Sequence, residues 1–191
     1  MKPGAFALAA LLLVSGQVGA NERTFYFSGT LEGETRCPPS DGVFCGPYTG
    51  TLTIDDDQVG MERFPGHTYL YRYTEAKVVF ADGQTVTSYS PSTLPPKQPA
   101  MMTPALRVEK DARGSLSIII DMRGSEGGFG VIAPQYSYSA GTFDPANLRD
   151  VLAALPGKPS SAKFFVVGGA CSWGPCLDRS LTPLTPKASV E

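Results

Sequence analysis

Alternation of apolar and polar residues organises most of this chain. Over residues 23–31 (RTFYFSGTL), Phe25, Phe27 and Leu31 fall on one face, as they do on a strand with one side buried. Over residues 48–54 (YTGTLTI), Tyr48, Leu52 and Ile54 share one face and three threonines the other, which suits solvent. FSGTL at 27–31 and YTGTL at 48–52 repeat each other. Two antiparallel neighbours joined by the loop that holds Cys37 and Cys45 account for the repetition, which at five residues is too short for a repeat architecture.

The same period predicts strands over 68–80, 84–90, 105–110 and 115–122, with weaker patterns over 131–138 and 163–167. Asp82-Gly83 and the stretch 111–114 supply hairpin turns, and residues 90–104, with five prolines, read as a long surface loop. One helical stripe interrupts the strands. Leu148, Val151, Leu152 and Leu155 recur at helical spacing before Gly157, with Asp144 as the expected cap and Pro145 in the first turn. Many short strands and one short helix near 145–155 predict an all-β fold, an antiparallel sandwich or jelly roll. The expected organisation is a signal peptide over 1–20, one β-rich domain over 21–177 and a disordered tail over 178–191, which has two prolines and no aromatic residue.

The first twenty residues break the pattern. Lys2 precedes an apolar run over 5–14 (AFALAALLLV), and Val18-Gly19-Ala20 offers small residues at a cleavage position. That order is the one a secretory signal peptide has, and ten apolar residues are too few to span a bilayer. Cleavage after Ala20 gives a chain that starts at Asn21, with no further stretch long enough to span a membrane. The predicted location is therefore secreted or periplasmic. The full chain has 16 basic and 18 acidic residues; without Lys2 the net charge is −3, with no cluster of Lys and Arg to neutralise phosphates. Nucleic acid is not an expected partner.

Four cysteines in an exported chain read as two disulfides. Cys37 and Cys45 bracket PPSDGVF, and Cys171 and Cys176 bracket SWGP, so each pair closes its own Gly- and Pro-containing turn. Three connectivities are open; the local one is favoured, each bridge contributing about 2–3 kcal/mol by loop-closure entropy. Trp173-Gly174-Pro175-Cys176 resembles part of the thioredoxin motif, but the attacking cysteine between Trp and Gly is missing. Neither C-x7-C nor C-x4-C has the usual zinc-knuckle spacing.

The F-x-F-x-G-x-L opening and the Y-T-G-T-L-T-I-D strand ending at Asp55, taken with the signal peptide, resemble a loose set of secreted bacterial β-rich proteins of unknown function. In these an early F-x-G strand precedes a [FY]-[ST]-G-x-[LF]-T-[IY]-D strand. The resemblance covers about residues 25–57 and implies a β fold and no activity. Some of those proteins end in a sorting signal with an apolar C-terminal segment. This sequence ends TPKASVE, which points to a free exported protein.

Candidate chemistry is sparse. His67 is the sole histidine, so any Ser-His or Cys-His mechanism would need it as base, and its place between Gly66 and a strand suits a solvated loop. There is no G-x-S-x-G elbow and no H-E-x-x-H. Asp55-Asp56-Asp57 offers hard oxygen ligands but lacks the spaced calcium-loop pattern. The glycine-rich run 124–130 has no phosphate-loop lysine. Tyr69, Tyr71 and Tyr73 alternate on one strand face, suited either to packing in the sheet or to a sugar or protein platform. The reading is a non-catalytic binding or structural protein with a protein or glycan ligand, no catalytic residue, no metal and no cofactor. The alternative is a secreted hydrolase using paired carboxylates, with glycans among its candidate substrates.

Overall fold

The computed structural model describes residues 21–31, 46–81, 83–95, 103–123, 129–168, 171–178 and 180–186, with 129–131, 167–168 and 171–178 described by backbone alone. Its elements are β1 (Glu22–Leu31), β2 (Gly46–Asp55), β3 (Met61–Phe64), β4 (Thr68–Tyr71), β5 (Glu75–Phe80), β6 (Thr85–Ser88), β7 (Ala105–Lys110), β8 (Leu116–Asp121), β9 (Phe129–Tyr138), α1 (Leu148–Ala154), β10 (Ser161–Gly168), β11 (Cys171–Asp178) and β12 (Thr185–Pro186). They form a five-stranded sheet, β12-β1-β2-β5-β6, and a seven-stranded sheet, β11-β10-β9-β8-β7-β4-β3. This is the expected all-β sandwich with one short helix.

The alternation decides what each sheet buries. Phe25, Phe27, Tyr48, Leu52, Ile54 and Val78 of the smaller sheet share one buried cluster with Leu106, Ile118, Ile120, Tyr136 and Phe164 of the larger. Tyr48 stacks on Phe164 across the interface, ring centroids 4.3 Å apart. Leu148, Val151, Leu152 and Leu155 bring α1 into the same cluster. The helix cap differs from expectation: Asn147 accepts the Arg149 N–H, and Asp144 accepts that of Ala146 one turn earlier. With Pro145 ahead of it, the chain turns once before the helix proper begins.

The two FSGTL-like segments are indeed antiparallel neighbours. Phe27 stands opposite Gly50, and Tyr48 opposite Gly29. The Phe27 ring occupies the space that a Cβ on residue 50 would need, so glycine there is a packing requirement.

Two further expectations need correction. The alternation over 68–80 is not one strand: β4 belongs to the seven-stranded sheet and β5 to the five-stranded one. Between them the Arg72 N–H goes to Gln58 Oε1 at 2.7 Å and the Tyr73 N–H to Ser90 Oγ at 2.9 Å. Side-chain acceptors replace ladder carbonyls, and the chain crosses without leaving a buried donor unpaired. The tail is not disordered over 180–186. Leu181 and Leu184 are buried in the core, and β12 pairs with β1, because two leucines at i and i+3 suffice to anchor a proline-containing segment. Residues 187–191 lie outside the described residues.

Replacing Gly50 with Ala should cost about 1–3 kcal/mol through overpacking against Phe27. Urea unfolding measures it, and Phe27→Leu in the Gly50→Ala background should recover part of the loss.

Candidate functional site

Positions that alternate out of the core on β1, β2, β5 and β6 form the outer face of the five-stranded sheet. Register sets them in rows: Thr185, Tyr26, Thr51, Lys77 and Thr87 cross the sheet in one, and Ser28, Thr49, Val79 and Thr85 in the next. Thr24 and Thr53 pair their hydroxyls at 3.1 Å in a third. Threonine suits this place because its branched Cβ favours the strand while its hydroxyl faces water.

The C-terminal segment walls one side. Thr182 exchanges bonds with Ser28, its N–H donating to the Ser28 carbonyl at 2.8 Å and its Oγ1 accepting the Ser28 N–H at 2.9 Å. The Thr30 N–H goes to Ser180 Oγ at 2.8 Å. Between wall and sheet lies an open recess of about 360 Å³, bounded by Tyr26, Ser28, Thr49, Thr51, Lys77 and Thr182 among others. Tyr26 is 40% exposed, although most of the described aromatic residues are buried. Among the described residues, neither the Tyr26 phenol nor the Lys77 ammonium has a hydrogen-bond or ion-pair partner. An exposed ring, an uncommitted cation and a field of hydroxyls can stack on, charge-pair with and hydrogen-bond to a polar ligand.

The tyrosine stripe does not serve as a platform. Tyr71 and Tyr73 are buried. The Tyr71 hydroxyl donates to the Pro145 carbonyl at 2.7 Å; that of Tyr73 donates to the Asp121 carbonyl at 2.8 Å and lies 2.9 Å from Ser88 Oγ. Burial pushes both phenols well above their usual range. Tyr69, half-buried against the same core, donates to Glu62 at 3.2 Å. Alternation pointed all three inward, because β4 and the crossover face the core from one side.

The opposite sheet carries a polar cluster of a different kind. Arg107 on β7 grips Asp121 on β8 with Nε at 2.6 Å and Nη2 at 3.1 Å, and also donates to Glu109. Asp121 is buried, and burial pushes its carboxyl up, the guanidinium partly offsetting this. For Arg107, burial pulls down, but the bonds and charge of Asp121 and Glu109 more than offset it. Both Asp121 oxygens and one of Glu109 are taken by a single cation. Asp121 has no oxygen left free to pass a proton to a leaving group, and its grip by Arg107 ties β7 to β8.

His67 is exposed, with Nδ1 3.2 Å from the Lys110 carbonyl oxygen. Asp55, Asp56 and Asp57 each place a carboxylate oxygen within 4.8 Å of the others. Arg23 bonds Asp56 at 2.8 Å, and Arg149 bonds Asp57. Cys37 and Cys45 lie outside the described residues. Cys171 and Cys176 lie on β11, whose backbone pairs Gly168 with Cys171 and Val166 with Cys176, a five-residue step on one strand against two on its neighbour. Among the described residues, no helix is long and apolar enough to cross a membrane.

Sequence reasoning did not single out Tyr26 and Lys77. The alternation that put Phe25 and Phe27 inward also sends Tyr26 outward; what it lacks is the pairing that sets Tyr26 beside Thr51 and Lys77, and the tail that walls the recess. No family model, no curated protein and no solved structure matches this chain.

Arg107→Met should destabilise the protein by about 3 kcal/mol at pH 7, since it leaves Asp121 buried without its counter-charge. The variant's folded carboxyl then holds its proton more tightly still, so its stability falls as pH rises from the usual carboxylate range. Urea unfolding at pH 4.5 and 7.5 should show the larger deficit at 7.5.

Proposed function

We propose that the chain is exported and non-catalytic, and that it binds a glycan in the recess on the outer face of its five-stranded sheet. The observation that carries this reading is the combination of exposed Tyr26, uncommitted Lys77 and flanking hydroxyls on rigid strands. A sugar ring offers an apolar C–H face for an aromatic ring to stack on and an equatorial fringe of hydroxyls for threonine and serine to pair with. A protein ligand of ordinary affinity would need a larger apolar centre, and this face exposes one aromatic ring among polar groups. A hydrolase working through paired carboxylates receives less support, because of the two buried carboxylates Asp121 is held on both oxygens by Arg107 and Asp56 is ion-paired with Arg23.

Export rests on residues 1–20, and the oxidising compartment it implies supports disulfides. The local pairings are favoured because Cys37–Cys45 and Cys171–Cys176 each close their own Gly- and Pro-containing turn. Mass spectrometry of the exported protein, digested without reduction, should find an Asn21 terminus and linked Cys37–Cys45 and Cys171–Cys176 peptides; free thiols would remove the support that oxidation lends to export.

Binding is tested by a glycan screen followed by titration calorimetry on the best ligand. Tyr26→Ala should weaken it about tenfold, as loss of a stacked aromatic contact does, and Lys77→Ala should weaken acidic glycans more than neutral ones. Binding unchanged in both variants, or no glycan retained, sinks this assignment.

A further inference from the structure

At the open end of the sandwich one buried polar atom has no partner. Asp56 is 6% exposed, its Oδ2 bonded to Arg23, yet its Oδ1 meets no donor. A buried carboxylate oxygen left in that state is costly. The surrounding charges do not balance either: among the described residues the ion pairs to Asp55, Asp56 and Asp57 come from Arg23 and Arg149, and the Glu22 side chain, next along β1, accepts from the Thr74 hydroxyl. One positive group is missing.

We infer that the free α-ammonium of Asn21, created when residues 1–20 are removed, is the missing partner of Asp56; this rests on the export reading and its cleavage site. Glu22 pairs with Asp55 in the β1–β2 register, so Asn21 stands opposite Asp56. The Asp56 N–H donates to the Asn21 carbonyl at 3.3 Å, and Asn21 Nδ2 donates to Asp57 Oδ2 at 3.1 Å. In such an antiparallel pair the Cα atoms are about 5.5 Å apart and the Asn21 nitrogen faces its neighbour's backbone. As an amide in the uncut chain, that nitrogen is neutral and has one hydrogen. Cleavage turns it into a cation with three, enough to serve the Asp56 backbone and reach toward its carboxylate. Three carboxylates then face three cations. A divalent metal fits less well, because two guanidinium groups already sit on the oxygens it would need.

The test uses the exported, processed protein, its terminus verified by intact mass, beside the same protein acetylated at the α-amine alone. Acetylation should lower Tm by about 2–4 °C at pH 7. The carboxylates hold the ammonium charged, so its contribution is complete below the ordinary α-amino pKa of about 8 and is lost as pH rises through the folded value; by pH 10.5 the two proteins should melt together. Asp56→Asn should abolish the sensitivity to acetylation. Where that variant does not fold, the α-amine of the unmodified protein, followed by NMR, should titrate above pH 8. Equal melting at pH 7, an α-amine that titrates at or below 8, or an Asp56→Asn variant as sensitive as the parent overturns the pairing. Calcium that raises the Tm of both forms and erases their difference also overturns it, and assigns the orphan oxygen to a metal. An exported protein beginning elsewhere than Asn21 overturns the processing reading itself, and the pairing with it.

Discussion

The close packing of Phe27 over Gly50 holds β1 against β2 in one register, and both faces of the smaller sheet depend on it. Phe27 can lie flat across its neighbour only where residue 50 has no Cβ, and the same register sets Tyr48 opposite Gly29. A slip of one residue would bring threonine hydroxyls into the core and put phenylalanine in water. With the register fixed, Tyr48 reaches across the sandwich to stack on Phe164. One glycine therefore couples the pairing within a sheet to the packing between sheets.

The outer faces of the two sheets have been treated differently. On the seven-stranded sheet, outward-pointing Leu70 and Ala105 are packed with Leu94, and Ile119 and Ala133 are buried. Its one strongly polar cluster is closed on itself, each charge answered by another. The outward positions in the rows through Tyr26 and Ser28 are hydroxyls, Tyr26, Lys77 and Val79, and among the described residues the Tyr26 phenol and the Lys77 ammonium have no polar partner. Polar groups that a fold needs are paired, and those it leaves unpaired at the surface cost it little and remain available to a ligand.

Much of this was legible in the sequence. Period-two alternation located nearly all the long strands, because a half-buried strand writes its own pattern, and the FSGTL and YTGTL repetition identified β1 and β2 as neighbours. The stripe from Leu148 to Leu155 located the helix. What alternation cannot encode is the identity of the sheet. Tyr69, Tyr71 and Tyr73 face the core at odd positions and Ala76, Val78 and Phe80 at even ones; the one-residue change of phase marks the crossover, but both sheets face the same core, so it does not say which sheet each strand joins. Nor did composition reveal the C-terminal segment, where Leu181 and Leu184 stand among prolines and polar residues yet join the core, and whose hydrogen bonds to Ser28 and Thr30 reach back some 150 positions. The recess is built from such distant pairings, so its members were visible singly and its shape was not.

That long-range origin also bears on how the recess would bind. Apart from Lys77 and Ser28, its floor carries threonines, Val79 and Tyr26, β-branched or ringed side chains with few rotamers to lose. Its wall is fixed from below by two buried leucines and from the side by the Thr182–Ser28 and Ser180–Thr30 bonds. Groups positioned before a ligand arrives keep more of their interaction energy as affinity than groups that must be ordered on contact. A shallow, hydroxyl-lined site with one aromatic ring has little apolar area to contribute. For such a site, the rigidity inherited from the core is what makes specific recognition of a polar ligand attainable.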